Sequence, residues 1–373
     1  MAASSPTMVF HYPAPLPEQP DAGSGVRPLM MRSAFAELGW DVVTIAGHSA
    51  QRAAAATTLR DEVARGRRIE FCYGESTTVP TSMSDPHHLP RRPFVDARLY
   101  RWLKRQGIPS GLFYRDAYWR FPQYRRSVRW PKRVVATVGY RFDLAWYRRH
   151  LDVLFLPSLA MADHLPGWHG SPRVAALPPG GVVDARATDR PPTPPGRLDL
   201  FYVGSITPPI CDVTPLVRAV ARVPRAHLTL CCPERERDQL ETLRPFLDGV
   251  EVVHERGAAV RARTVAADAA CLVFPPNEYR AFAMPIKLFE AVAAGTPTIT
   301  SGGTTAADFV VEHGLGWRVE NDDDLVRLLD DLIDDPSRIE SVRARVLAQR
   351  SAHSWVARAA TVAERLGVAP PGS

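Results

Sequence analysis

Lysine is nearly missing from this chain. Of 46 basic residues among 373, only Lys104, Lys132 and Lys287 are not arginine. An arginine bias of that size reads first as a high-G+C coding preference. It still makes each lysine conspicuous, because a compact ammonium and a planar guanidinium are not equivalent at a phosphate. Cysteine is scarce as well. Positions 72, 211, 231, 232 and 271 make an odd set with no C-x-x-C spacing, which argues against a disulfide framework and against a zinc ribbon. They read as small buried apolar residues in a reducing cytoplasm. Long apolar runs are absent: the best, Leu151–Met161, is broken by Asp152, Pro157 and Ser158 and falls short of the ~18 residues a membrane span needs. The N-terminus MAASSPTMVF has neither a basic n-region nor a long apolar h-region, so no secretory signal is expected.

What remains is ordinary globular composition, 45% hydrophobic and 23% charged, with length for two domains at roughly 150 residues each. The 35 prolines imply many loops and a few stiff connectors. Four of them, Pro191, Pro192, Pro194 and Pro195, mark 186–197 as an interdomain linker, since such a run fits neither helix nor central strand. The expected organisation is a first domain over 1–185, the linker 186–197, a second domain over 198–350, and a C-terminal segment 351–373.

Charge is unevenly spread. Residues 91–149 carry +13 while the rest of the chain carries −7, and the same stretch holds 14 of the 32 aromatics. A solvated face over core aromatics explains this, and so does an anionic lipid surface. Nucleic acid ranks below both, because no nucleic-acid motif accompanies the arginines.

Each half alternates short apolar strands with helical segments. The first half offers 8–12, 41–47, 110–116, 151–157 and 173–181, with a helix at 29–38. The second offers 198–205, 227–233, 250–255, 269–276, 296–301 and 316–320, with helices at 213–222, 234–244, 286–294 and 322–333. Continuous apolar strands between helices predict α/β architecture, here two Rossmann-like doubly wound domains. The run NDDD (321–324) reads as a helix N-cap, not a metal site.

In such sheets ligands bind beyond the C-terminal strand ends. The first loop there, 13–28, contains Gly23 and Gly25 before a helix that Pro28 opens at its first position, an arrangement that admits a phosphate to helix-end N–H groups; the third glycine of a dinucleotide fingerprint is missing, and a plain flexible loop is the equal alternative. The more informative segment is CLVFPPNEYRAFAMPIKLFEAVAAGTPTITS (271–301). A strand ends near Phe274, Pro285 opens a short helix, and Gly295 closes it. Lys287 and Glu290 share one helix face. A helix N-terminus with a lysine beside it suits a diphosphate, and a carboxylate one turn on suits a ribose diol; the plain alternative is a surface ion pair.

The run M-P-x-K-L-F-E-A-x-A-A-G-T-P-T (284–298) resembles the donor signature of GT-B glycosyltransferases. It is similar to the large retaining bacterial group 1 (family 4-like) enzymes, and to exopolysaccharide glucuronosyltransferases with a Met-x-x-Lys-x-x-Glu arrangement. The 21–28 loop, LDVLFLPS (151–158), LPPGGVVD (177–184), FYVGS (201–205) and the helix 353–366 follow in that family's order. The resemblance implies two domains facing a central cleft, with the 351–373 helix crossing back. It implies a nucleotide-sugar donor on the second domain and an acceptor on the first. By it Lys287 contacts the diphosphate, Met284 and Pro285 border it, Glu290 holds the ribose, Gly204 and Ser205 approach the phosphates, and His254 and Arg256 line the base pocket. One departure is visible: the retaining pattern has a glutamate eight residues before the second one, where Phe282 stands here and Glu278 is displaced by four.

In the first domain Asp116 ends a predicted strand, where related enzymes place a His or Asp facing the sugar. A carboxylate there removes the acceptor proton as the hydroxyl attacks, and in-line attack of that kind inverts the anomeric centre. A structural Arg115–Asp116 or Asp116–Arg120 pair is the competing reading. Asp143 and His164 are lesser candidate bases. His87-His88 has no nearby ligand partners, so no metal is expected; with Lys287 and helix N–H groups on the leaving group, no cofactor or Mg²⁺ is required. The expected protein is a cytoplasmic, peripheral-membrane glycosyltransferase of polysaccharide or glycoconjugate synthesis, acting on a glycan or lipid-linked acceptor. Other readings are a natural-product glycosyltransferase, a nucleotide-sugar epimerase or hydrolase, and a non-catalytic binding or scaffold module.

Overall fold

The structure, a computed structural model, describes residues 5–17, 23–188, 190 and 194–371. The chain forms two compact units, 1–178 with 355–373, and 179–354. The first unit begins with β1 (Thr7–Tyr12), α1 (Gly23–Glu37), β2 (Asp41–Ala46), α2 (Ser49–Ala64), β3 (Phe71–Glu75), α3 (Val95–Arg105), β4 (Ser110–Phe113), α4 (Pro122–Ser127), α5 (Trp130–His150), β5 (Val153–Leu156) and β6 (Val174–Ala176). The second holds β7 (Leu198–Val203), α6 (Thr214–Val220), β8 (Ala226–Cys231), α7 (Arg237–Leu243), β9 (Glu251–Val253), α8 (Ala258–Ala266), β10 (Ala269–Leu272), α9 (Glu278–Ala281), α10 (Ile286–Ala293), β11 (Thr298–Ser301), α11 (Thr305–Glu312), β12 (Gly316–Val319), α12 (Asp322–Asp334) and α13 (Ser337–Gln349). The last helix, α14 (Trp355–Arg365), packs on α1 of the first unit.

Both sheets are six-stranded and wholly parallel, ordered β2-β1-β3-β4-β5-β6 and β12-β11-β10-β7-β8-β9. Strand order reverses between β1 and β3 in the first, and between β7 and β10 in the second. Those switch points are where a doubly wound sheet opens a crevice for ligands.

Several expectations change. The unit boundary falls at Pro178–Pro179, so 179–185 and the described part of the proline-rich stretch belong to the second unit; Asp189 and 191–193 lie outside the described residues. Gly181 accounts for the early boundary. A Cβ there would lie 2.2 Å from the Phe289 carbonyl oxygen, so only glycine lets the chain run this closely against α10. In the first unit α1 starts at Gly23, not Leu29, and Pro28 sits inside it. The pyrrolidine φ suits a helix, and early in α1 its missing N–H forfeits a single backbone bond. Gly23 and Gly25 are therefore helical residues rather than a phosphate loop, while 18–22 of that loop lie outside the described residues. The central strand β3 was not expected. Its five residues include Gly74, where a Cβ would lie 2.0 Å from the Tyr100 hydroxyl; close packing of Tyr100 demands a residue that weakens any strand signal.

Two buried carboxylates organise the first unit. Asp96 accepts from His11 Nε2 at 2.7 Å and from Arg52 Nε and Nη2 at 2.8 Å each, tying α3 to β1 and α2. Burial disfavours its charge, but the His11 bond and the Arg52 guanidinium hold it well below the usual carboxylate range. Asp143 on α5 accepts from Thr81 N at 2.7 Å and Trp146 Nε1 at 3.2 Å. Lacking a cation, it is pushed up by burial to about 7. Among the described residues, no helix is long and apolar enough to cross a membrane.

Asp143 makes stability pH-dependent. A carboxyl with a raised folded pKa favours the fold most below its unfolded pKa, and that contribution is lost as pH rises from about 4 through about 7. Asp143→Asn keeps an acceptor for Thr81 without the buried charge. Thermal unfolding from pH 5 to 8 should show a Tm decline in the wild type that is largely flattened in the variant, by up to roughly 2–4 kcal/mol at the alkaline end. An equal slope in both proteins would assign the effect elsewhere.

Candidate functional site

The site in the second unit is built at its switch point. Strand β7 ends at Val203, and Gly204 follows with φ +146°, a conformation that L side chains avoid. Its N–H donates to the Cys231 carbonyl at 2.9 Å, continuing the ladder with β8. A Cβ on Gly204 would lie 2.1 Å from Lys287 Nζ. The ammonium of the second unit's single lysine thus lies directly against bare backbone. Ser205 follows: its carbonyl accepts from the Tyr202 hydroxyl and its Oγ from Thr207 N at 3.3 Å.

Helix α10 brings the lysine there. Pro285 is its N-cap rather than its first residue, with extended φ −72°, ψ 137°; its φ suits that position, and the missing N–H is one the helix end leaves unpaired anyway. Leu288, Phe289 and Val292 are fully buried and anchor the helix, each contributing ~1.5–3 kcal/mol. Gly295 N donates to Val292 O at 3.0 Å and Thr296 N to Ala291 O at 2.9 Å, the Schellman closure that its sequence position implies. With its apolar face fixed inward, α10 presents its free N-terminal amides and Lys287 toward the end of β7.

Burial lowers the Lys287 ammonium from its ordinary pKa, while Cys211 and Glu290 oppose the shift. Although Glu290 keeps an exposed surface, the protein packed around its carboxyl raises its pKa, opposed by Lys287 and Arg261. Met284 is buried beneath the loop before α10. His254 follows β9, with Nδ1 at 2.8 Å from the Cys232 carbonyl. Its Nδ1 is the donor in that contact, leaving Nε2 an acceptor in the neutral ring. Arg256 lies in the same loop before α8.

The sequence reading missed two groups. Arg280 stacks on Phe274 with its guanidinium carbon 3.6 Å from the ring centroid, and donates to the Ile210 carbonyl at 2.8 Å. Burial lowers its pKa, and it is among the cations that depress Lys287. Glu236 Oε2 accepts from Ile206 N at 2.7 Å and so holds the loop after Gly204. Neither has a spacing signal, because Arg280 stands on the single turn of α9 and Glu236 on the 3-10 turn before α7, each too short to show a periodicity. Phe282 is buried and packs edge-on against Tyr279 at 5.6 Å, so the hydrocarbon at that position is part of the packing.

In the first unit β4 stops at Phe113, so Asp116 lies three residues beyond the strand instead of ending it. Its Oδ1 accepts from Tyr118 N at 2.5 Å, which fixes the carboxylate in a turn. Arg115 Nη2 lies 3.5 Å from Glu75 Oε2. Asp143 is committed to Thr81 and Trp146 and is structural; His164 packs on Phe121 at 5.0 Å. Gly23 and Gly25, expected at the diphosphate, belong to this unit, whereas Gly204, Ser205, Lys287 and Glu290 belong to the other. Among the described residues no three His, Cys, Asp or Glu gather as a metal site.

A methyl group at Gly204 would take the volume now held by the lysine ammonium. Gly204→Ala should therefore displace Lys287 and reduce affinity for inorganic pyrophosphate, an anion that an ammonium beside free helix amides suits, at least about tenfold, by the ~1.4 kcal/mol or more that one charge-assisted hydrogen bond supplies. Calorimetric titration of wild type and variant checks this; equal affinities would remove Lys287 from the ligand.

Residues 197–335 match the family described as Glycosyl transferases group 1. The whole chain is similar in structure to HepE of Anabaena in complex with UDP and glucose (13% identity, 96% of this chain and 99% of that one, TM-score 0.60). It is also similar to sucrose-phosphate synthase from Thermosynechococcus elongatus (15%, 96% and 98%, 0.61) and to WaaG, a glycosyltransferase involved in lipopolysaccharide biosynthesis (16%, 98% and 100%, 0.53). No curated protein sequence matches the chain. Identities this low speak to fold alone: the chain has the GT-B fold of two parallel α/β units, and the match to the glycosyl transferase group 1 family lies within its second unit.

Proposed function

We propose that the enzyme takes a nucleoside-diphosphate sugar in its second unit and transfers the sugar to a hydroxyl of a glycan or lipid-linked acceptor. The setting would be cell-surface polysaccharide or glycoconjugate synthesis at the inner face of the membrane. The observation that carries this is the Lys287 ammonium lying against Gly204 at the switch point, beside the α10 N-terminus. An ammonium, a guanidinium at Arg280 and unpaired helix amides suit the two charges of a diphosphate. Glu290, one turn after Lys287, suits the ribose hydroxyls, and the loop carrying His254 and Arg256 suits the base. The neighbours crystallised with UDP and with UDP-glucose make uridine the first base to test.

In this reading the acceptor oxygen attacks the anomeric carbon as the bond from that carbon to the β-phosphate oxygen breaks. Asp116 takes the acceptor proton. The nucleoside diphosphate leaves with its new charge stabilised by Lys287, Arg280 and the α10 amides. The scheme draws on these cations and needs no metal. Phe282, buried where the retaining pattern has a glutamate, supports inversion.

A thermal-shift series with UDP, GDP, dTDP, CMP and ADP tests the donor assignment. One diphosphate at about 100 times its dissociation constant should stabilise the wild type by about 2.7 kcal/mol, and Lys287→Ala should lose that shift. No response to any nucleotide would sink the placement of Lys287 and Glu290. With the responding donor class, Asp116→Asn should leave binding intact and lower turnover ~10²–10⁴-fold. Binding without turnover in the wild type, across candidate acceptors, would favour the non-catalytic reading instead.

A further inference from the structure

Six of the ten large hydrophobic residues exposed among the described residues come from one short stretch: Leu89, Phe94, Trp130, Val134, Val135 and Val138. Trp130 is 70% exposed and Val138 62%. Trp130, Val134 and Val138 are spaced i, i+4, i+8 along the first half of α5, so they form one outward stripe. Val135 widens it, and Phe142, one turn beyond Val138, continues it. There α5 meets α3: the Phe142 and Phe94 rings are 5.8 Å apart, and the Arg98 guanidinium lies 5.9 Å from the Phe94 centroid. The other side of α5 in the same span is committed to the core through Ala136, Gly139, Tyr140 and Asp143. The exposed stripe is therefore surplus to folding.

Charge surrounds this surface in one sign only. Residues 117–142 contain seven Lys/Arg and no Asp or Glu. Beyond Phe94, Arg60, Arg98, Arg101 and Arg105 line a groove about Trp102, with Arg60 at 5.7 Å from the indole. A soluble surface gains nothing from an exposed Trp and three exposed valines along one helix. A helix with an apolar stripe, an interfacial tryptophan and basic flanks is the composition that lies in the plane of a bilayer interface.

We propose that the first half of α5, continued through Phe94 onto α3, is a membrane-docking face. Trp130, Val134, Val135 and Val138 enter the headgroup boundary of an anionic bilayer, while the surrounding arginines pair with lipid phosphates. The inference rests on the reading that the acceptor is presented at a membrane, and it names the surface that meets that membrane. Positive charge with no acid interspersed favours anionic lipid over a second copy of this equally basic face, which would repel itself.

The test is co-sedimentation of the full chain with phosphatidylcholine vesicles, with and without phosphatidylglycerol, at low and high salt. The expected result is retention on phosphatidylglycerol vesicles that weakens with salt without vanishing, because the apolar part is not screened. Val134→Asp/Val138→Asp, on an exposed face, should lose at least about tenfold in vesicle affinity with unchanged Tm. Arg98→Gln/Arg101→Gln/Arg105→Gln should lose mainly the salt-sensitive part. Wild type left in the supernatant with every vesicle overturns the proposal. So does a Val134→Asp/Val138→Asp variant that sediments like wild type, which would leave only diffuse charge attraction. A wild-type dimer in light scattering that this variant dissociates, with no vesicle binding, overturns it in favour of self-association. The UDP thermal shift, run on the same samples, separates the two readings: a normal shift without vesicle binding defeats the docking face alone, and an absent shift defeats the donor assignment.

Discussion

The second unit is organised around one close approach: a side chain on the α-carbon just after β7 would have to displace the Lys287 ammonium. Gly204 yields that space to the Lys287 ammonium, and much else follows. The lysine reaches the strand end only because α10 is pinned by Leu288, Phe289 and Val292 and stopped by the turn at Gly295. The chain behind α10 approaches only because position 181 also lacks a side chain. A cation held in a partly desolvated place is stabilised by incoming negative charge far more than it would be in bulk water. The downward push on the Lys287 pKa is the mark of that readiness.

The first unit uses the opposite device. Its buried charge is consumed internally: Asp96 by Arg52 and His11, Glu75 by Arg27, Tyr73 and Arg115. These networks fix α1, α2 and α3 on the sheet and leave Asp116 on a turn set by its own bond to Tyr118. The positive charge that is not consumed lies outside, on α3, α4 and α5. The +13 of residues 91–149 is therefore a surface property, and the aromatics counted with it divide between a packed interior (Tyr100, Trp119, Tyr140, Trp146, Tyr147) and the few, Trp130 and Phe94 above all, that the fold leaves in solvent.

Legibility in the sequence followed the reach of the interactions. The segment 284–297 was readable because its signals are local: a capping proline, an i, i+3 pair and a closing glycine. The N-cap at Asn321 was readable for the same reason, and it accepts from Asp324 N at 2.9 Å. The strand β3 was not, because Gly74 answers to Tyr100 on the distant helix α3. The start of α1 was misplaced because Pro28 suits a first turn equally well as an early interior position. Arg280 and Glu236 escaped because the direction of a side chain on a single isolated turn depends on its remote anchor, here Phe274 and the Ile206 amide.

Alternation of apolar strands and helices was enough to determine two parallel α/β units, since continuous apolar strands can be covered only by helices on both faces. It also determined that a lysine, a helix N-terminus and a carboxylate would share one face. Tertiary structure decided where that face points. The strand order β12-β11-β10-β7-β8-β9 puts β7 beside β10 and so brings Gly204 to Lys287 across more than eighty residues of chain. It likewise decided which arginines and valines of the basic segment face solvent. No local rule assigns those, because burial of one α5 face depends on what α3 and the 80–83 loop bring against it.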